Sequence, residues 1–151
     1  MDTPAPILRD QREVDSGQLK IVAIFYYVTA GISLLGIGFL YVHYLIFSNL
    51  ILNPKFMHPA PAFPIGVMAA LKWVYLGLGV LVLVFGILNF LAAGFISRRE
   101  NRTAILVVAG INCLHFPFGA ILGVVTFYLM QRDTVRMQFD EVEAGKGRGD
   151  R

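Results

Sequence analysis

Acidic residues are missing from the long apolar runs of this chain, which cover residues 19–50, 65–97 and 103–130. An ion or proton path through a membrane needs buried ionisable groups, so transport by a single copy is not expected. Phosphate-binding loops, zinc-ligand spacings and nucleophile–base pairs are also missing. We therefore predict no catalytic, cofactor-binding or metal-binding residues, and a protein that is not an enzyme.

Cysteine occurs only once, at Cys113. A single cysteine excludes an intramolecular disulfide, so cysteine usage does not indicate the compartment. Because Cys113 lies inside an apolar run, we interpret it as a small buried hydrophobe.

Apolar side chains dominate the sequence, with 56% of 151 residues hydrophobic and a mean hydropathy of +0.65. This composition is too hydrophobic for an ordinary soluble domain, and the chain is too short for a large transporter. The net charge is +3, but the cations flank the apolar runs. The lipid bilayer and its headgroups explain them, and no nucleic-acid partner is expected.

Three of the runs are long enough to cross a bilayer, whose hydrocarbon core needs roughly 20 apolar residues in a helix. The sequence thus predicts an all-α polytopic membrane bundle with transmembrane helices at residues 19–50, 65–97 and 103–130. Polar tails at residues 1–18 and 131–151 flank this single membrane domain. Asp15 and Gln18 could form a capping box that begins the first helix.

The third run is interrupted near its middle by the sequence Phe-Pro-Phe-Gly, with Pro117 as the helix breaker. Division at Pro117 would give two halves of about 14 residues, each about 21 Å long as a helix, and neither half could cross the bilayer alone. A turn inside lipid would also leave backbone groups unpaired. We therefore favour one span kinked at Pro117, with a re-entrant hairpin as the alternative.

Charge places the short turn at residues 98–102, RRENR, on the cytoplasmic side together with the N-terminus, by the positive-inside rule. Three spans would then place the basic C-terminal tail outside, which the same rule disfavours. The hairpin alternative would place every basic cluster inside. The sequence therefore does not decide on which side of the membrane the C-terminus lies.

Small residues recur on two predicted helix faces. Gly79, Gly86 and Ala93 repeat every seven residues, the period of a helix–helix seam. Gly119 and Gly123 form a small-xxx-small pair in the third run. These faces predict close packing, and association with a second copy or another membrane protein.

Four polar residues inside the runs form a possible intramembrane polar cluster: His43, Asn89, Asn112 and His115. A hydrogen bond between the two asparagines would join their helices. Two histidines could also ligate a b-type haem. Their depths oppose this, because His43 lies near one interface and His115 near mid-membrane.

The chain resembles a family of small, uncharacterised bacterial inner-membrane proteins. The matching segments are LYVHY at residues 40–44, RRENR at residues 98–102, and residues 107–130 with a Pro-x-Gly-x-x-Leu-Gly core at residues 117–123. Family members often have threonine where this chain has Ala120. The resemblance implies an integral protein of the bacterial inner membrane and no particular activity.

The function predicted first is a structural or accessory subunit that associates through its small-residue faces. The second hypothesis is a small oligomeric channel or transporter built around Asn112 and His115. The third is a haem-binding redox subunit.

Overall fold

The computed structural model describes residues 6–51, 65–115 and 117–149, and these residues are helical apart from the short turns between helices. This confirms the predicted all-α class. The proline-rich segment at residues 53–64 lies outside the described residues. The helices are α1 (Pro6–Ile46), continued by a π-helical stretch (Phe47–Ile51), α2 (Ile65–Arg98), α3 (Arg102–Cys113), α4 (Phe118–Met130) and α5 (Asp133–Gly149).

The chain divides into two compact units, Met1–Val28 with Leu88–Arg151, and Thr29–Ile87. In the part of the chain that is described, two segments are long and apolar enough to cross a membrane, Asp10–Asn49 and Ala70–Arg98. Many of their large apolar side chains are exposed, among them Leu35 and Trp73.

The third apolar run does not form a single helix kinked at Pro117, and that prediction is wrong. Helix α3 ends at Cys113, α4 begins at Phe118, and the two short helices pack against each other. Their far ends also meet, since the Arg102 guanidinium donates to the carbonyl of Met130 at 2.6 Å. The run is therefore a helical hairpin.

Two glycines allow the hairpin to close. A Cβ atom at Gly119 would lie 2.6 Å from the carbonyl oxygen of Asn112, and one at Gly123 would lie 2.5 Å from that of Ala109. Real Cβ atoms do not approach this closely, so only glycine permits the two backbones to touch here. The small-xxx-small pair therefore packs two helices of the same chain against each other.

The hairpin tip pairs much of its own backbone. Leu114 N–H donates to the Ile111 carbonyl at 3.1 Å, and His115 N–H donates to the Asn112 carbonyl at 2.8 Å. Across the turn, Ala120 N–H donates to the His115 carbonyl at 3.2 Å. Pro117 has no N–H to satisfy. These backbone hydrogen bonds lower the cost of a turn at this point, which is the physical reason that the single-helix prediction fails.

The two polar tails are helical where they are described. Helix α1 begins at Pro6, so Asp15 and Gln18 do not cap its start. The C-terminal tail forms α5, and its Val135 and Phe139 are buried in the core of the first unit. That core also contains Leu19, Tyr26, Ile96, Ile105 and Met130.

Candidate functional site

A buried polar cluster lies where four helices of the first unit meet. Tyr26 of α1, Asn89 of α2, Asn112 of α3 and Thr126 of α4 each have no solvent-exposed surface. The Asn112 amide donates to Asn89 Oδ1 at 2.9 Å and to the Val108 carbonyl at 3.0 Å. The asparagine pair thus joins α2 to the hairpin, as a hydrogen bond between apolar helices should.

The Tyr26 hydroxyl is the other polar group buried in this cluster. The Tyr26 hydroxyl lies near the side chains of Asn112 and Thr126, while Thr126 donates to the Leu122 carbonyl at 2.7 Å. Within the described residues, the Tyr26 hydroxyl and Asn112 Oδ1 have no hydrogen-bond partner of standard geometry. The Tyr26 hydroxyl can donate a hydrogen bond and Asn112 Oδ1 can accept one, and the two groups are buried near each other.

Replacing Asn112 by leucine should weaken the attachment of the hairpin to α2. The change removes the hydrogen bond to Asn89, and interhelical bonds of this kind contribute about 0.6–2 kcal/mol in a membrane protein. Thermal unfolding in mild detergent should show a lower midpoint than in the wild type. Asn49→Leu, at an exposed position whose amide bonds only within its own helical turn, is the matched control, and equal midpoints in both variants would contradict the prediction.

The four predicted polar residues are divided between the two units. His43 belongs to the second unit, where its Nδ1 hydrogen-bonds the Tyr75 hydroxyl at 2.6 Å. Its ring also stacks on Phe47 and Tyr75. His115 is exposed at the hairpin tip of the first unit. Of the predicted cluster, the side chains of Asn89 and Asn112 hydrogen-bond to each other, and Tyr26 and Thr126 are buried beside Asn112.

The three small residues of the predicted helix–helix seam on α2 have different neighbours. Ala93 is fully buried in the first unit. In the second unit, a Cβ at Gly86 would lie 3.0 Å from the Cβ of Ser33 on α1, so Gly86 is a point of close helix contact. A Cβ at Gly79 would meet nothing within 4 Å. Of these three residues, Gly79 is the one that leaves an open surface.

A polar layer at the basic end of the first unit was not predicted from the sequence. Asp15, fully buried, accepts hydrogen bonds from Arg132 at 2.6 Å and from Thr134. The hydrogen bond from Arg132 to Asp15 raises the pKa of that guanidinium above its ordinary value. Around it, Arg12 pairs with Glu141 at 2.7 Å and Lys146 with Glu100 at 2.8 Å. These contacts join the N-terminal part of α1, the turn after α2 and helix α5.

Two concave surfaces border this layer. One is an apolar groove of about 480 Å³ between α1 and α4, lined by Ile21, Val22, Val124 and Leu129, with Arg132 at its polar end. The Arg132 guanidinium lies 4.9 Å from the ring centroid of Tyr128. The other is a polar cavity of about 340 Å³ between α1 and α5. Among the described residues, no three histidine, cysteine or carboxylate side chains are grouped so as to hold a metal ion.

Comparison of the chain with protein-family models, with curated proteins and with solved structures gave no match. The geometry of the described residues is therefore the basis for the functional conclusions.

Proposed function

We propose that this chain is an integral protein of the bacterial inner membrane that serves as a structural or accessory subunit, associating with a second copy or another membrane protein. The observation that supports this most is the complete burial of Asn89, Asn112 and Thr126. These side chains bond within the chain and hold its helices together, instead of lining an open path for a solute.

The membrane arrangement that we propose has two full spans, α1 and α2, and one re-entrant hairpin, α3–α4. Helices of 12 and 13 residues are about 18 and 20 Å long, less than the roughly 30 Å hydrocarbon core. Asp15 of α1 binds Arg132 in the turn before α5 and Thr134 in the first turn of α5. The ion pair Lys146–Glu100 links α5 to the turn after α2. In this arrangement the N-terminus, residues 98–102 and the C-terminus are all cytoplasmic, as the positive-inside rule favours.

Topology reporters test this arrangement directly. Alkaline phosphatase fused after residue 151 should be inactive and green fluorescent protein at the same site should fluoresce, because both report a cytoplasmic C-terminus. A phosphatase inserted between residues 53 and 64 should be active and serves as the positive control. An active phosphatase at the C-terminus would mean that the third run crosses the membrane and would contradict the hairpin arrangement.

Open glycines on α1 supply a surface for the proposed association. Gly31 and Gly38 are seven residues apart, and a Cβ at either would meet nothing within 4 Å. Small residues at this period permit close approach of another helix. We expect the double variant Gly31→Leu with Gly38→Leu to fold normally and to lose its oligomer or partner on mild-detergent purification. Gly145→Leu, at an equally open position on α5, is the control that should keep the association.

The same purification distinguishes the other two hypotheses. A Soret band in the sample would favour the haem-binding redox subunit. A colourless oligomer that passes solutes in proteoliposomes, with flux altered by His115→Ala, would favour the channel or transporter. Association that persists unchanged in the Gly31/Gly38 double variant would contradict the proposed interface.

A further inference from the structure

The polar cavity between α1 and α5 contains an excess of positive charge. It is lined by Arg12, Lys20 and Arg99, by Glu13 and Glu141, and by the amide of Gln138. Arg12 is neutralised by Glu141 at 2.7 Å. Lys20 forms no hydrogen bond or ion pair with any described residue, and its side chain is exposed. The electrostatic character of the cavity therefore suits an anionic group.

Gln138 is the second feature of this cavity that indicates a ligand. Its side chain is 95% buried, with 5% of its surface exposed, yet neither Nε2 nor Oε1 has a hydrogen-bond partner among the described residues. A buried amide left in this state is costly, since both its donor and its acceptor are desolvated. A ligand with one acceptor and one donor group would satisfy both atoms.

Arg99 reaches the cavity from an unusual backbone position. It follows the last residue of α2, where Glu100 N–H donates to the Phe95 carbonyl at 2.9 Å and Arg99 N–H to the Ile96 carbonyl at 3.2 Å. This is the Schellman ending, whose left-handed residue is usually glycine. Here that residue is Arg99, with φ 56°, and its guanidinium donates to Ser16 at 2.8 Å. The guanidinium has further N–H donors for an anion.

We propose that this cavity binds a phosphate group with a neighbouring hydroxyl, the chemistry of phosphoglycerol. Lys20 and Arg99 donate to the phosphate oxygens, and the buried Gln138 side chain turns toward the ligand so that Nε2 donates to the phosphate and Oε1 accepts from the hydroxyl. The phosphoglycerol group can come from a lipid headgroup or from free glycerol phosphate. The proposal does not depend on the oligomeric or accessory role above.

Thermal unfolding of the full chain in an uncharged detergent tests this site. The protein is titrated with dioctanoyl phosphatidylglycerol, with glycerol phosphate, and with dioctanoylglycerol, which has no phosphate. We expect a saturable rise of the unfolding midpoint with at least one phosphate probe and none with dioctanoylglycerol. A rise with the lipid alone identifies a headgroup site, and a rise with glycerol phosphate identifies a soluble ligand. No rise with either probe overturns the proposal.

Three variants connect the effect to the cavity. Arg99→Gln and Lys20→Gln should each weaken the apparent affinity about tenfold or more, since each removes a charge-assisted hydrogen bond. Gln138→Leu should weaken it comparably while leaving the unliganded protein as stable as the wild type or more so, because it removes the unpaired amide. Arg136→Gln, exposed on the same helix, is the matched control and should bind normally. Wild-type affinity in all three cavity variants would overturn the proposal.

Discussion

Replacing Gly123 by alanine should open the α3–α4 hairpin and destabilise the first unit by about 1–3 kcal/mol, the usual cost of overpacking. The added methyl group would lie 2.5 Å from both the Ala109 carbonyl and Cys113 Sγ. The first of these contacts is backbone and cannot rotate away. Gly119→Ala should act in the same direction, because its Cβ would meet the Asn112 carbonyl at 2.6 Å.

The sole cysteine provides the readout for this prediction. Cys113 lies against Gly123 and is only partly exposed, so opening the hairpin should speed its reaction with a maleimide. The unfolding midpoint in detergent should fall in parallel.

Gly110→Ala on α3 is the matched control for the hairpin glycines. A Cβ at this position would meet nothing within 4 Å, so alanine should be neutral or stabilising by about 0.5–1 kcal/mol. If Gly123→Ala matched Gly110→Ala in both labelling rate and midpoint, the close contact between α3 and α4 would be wrong.

Replacing Asp15 by alanine should detach α5 from α1 at the basic end. The Asp15 carboxylate is fully buried and accepts from both Arg132 and Thr134. Breaking a buried ion pair costs about 3–5 kcal/mol, but the Arg132 side chain is 30% exposed and can be rehydrated. We therefore expect a loss of about 2–3 kcal/mol and faster proteolysis within α5.

Glu141→Ala is the control that distinguishes the effect of losing a buried carboxylate from the effect of losing an ion pair. It removes the partner of Arg12 in a pair whose side chains are 31% and 60% exposed, and exposed pairs contribute about 0–1 kcal/mol. A similar loss of stability in the two variants would mean that the burial of Asp15 has no special effect. A larger loss for Asp15→Ala would place the anchor of α5 at that carboxylate.

Local patterns in the sequence were enough to predict the two long apolar helices and one polar contact. The long apolar runs made α1 and α2 evident, since helical hydrophobicity is a property of consecutive residues. Helical periodicity placed Asn89 and Asn112 on faces that should meet protein, and the two amides do hydrogen-bond to each other. Tyr26 and Thr126 were not predicted as members of the cluster, because the sequence does not show which residues of α1 and α4 come next to Asn112.

The tertiary structure decided that the third run turns back on itself and that its glycines pack against the other half of the same run. Gly119 and Gly123 fit a seam with any neighbouring helix, and the sequence could not indicate that the neighbour is α3 itself. Asp15 fitted a helix cap as well as it fits Arg132, which is more than a hundred residues away. The amino-acid pattern by itself determined the two long apolar helices and their apolar surface, because these follow from residues that are neighbours in sequence. The hairpin, the buried carboxylate and the cavity around Gln138 depend on contacts between residues distant in sequence, which no local pattern encodes.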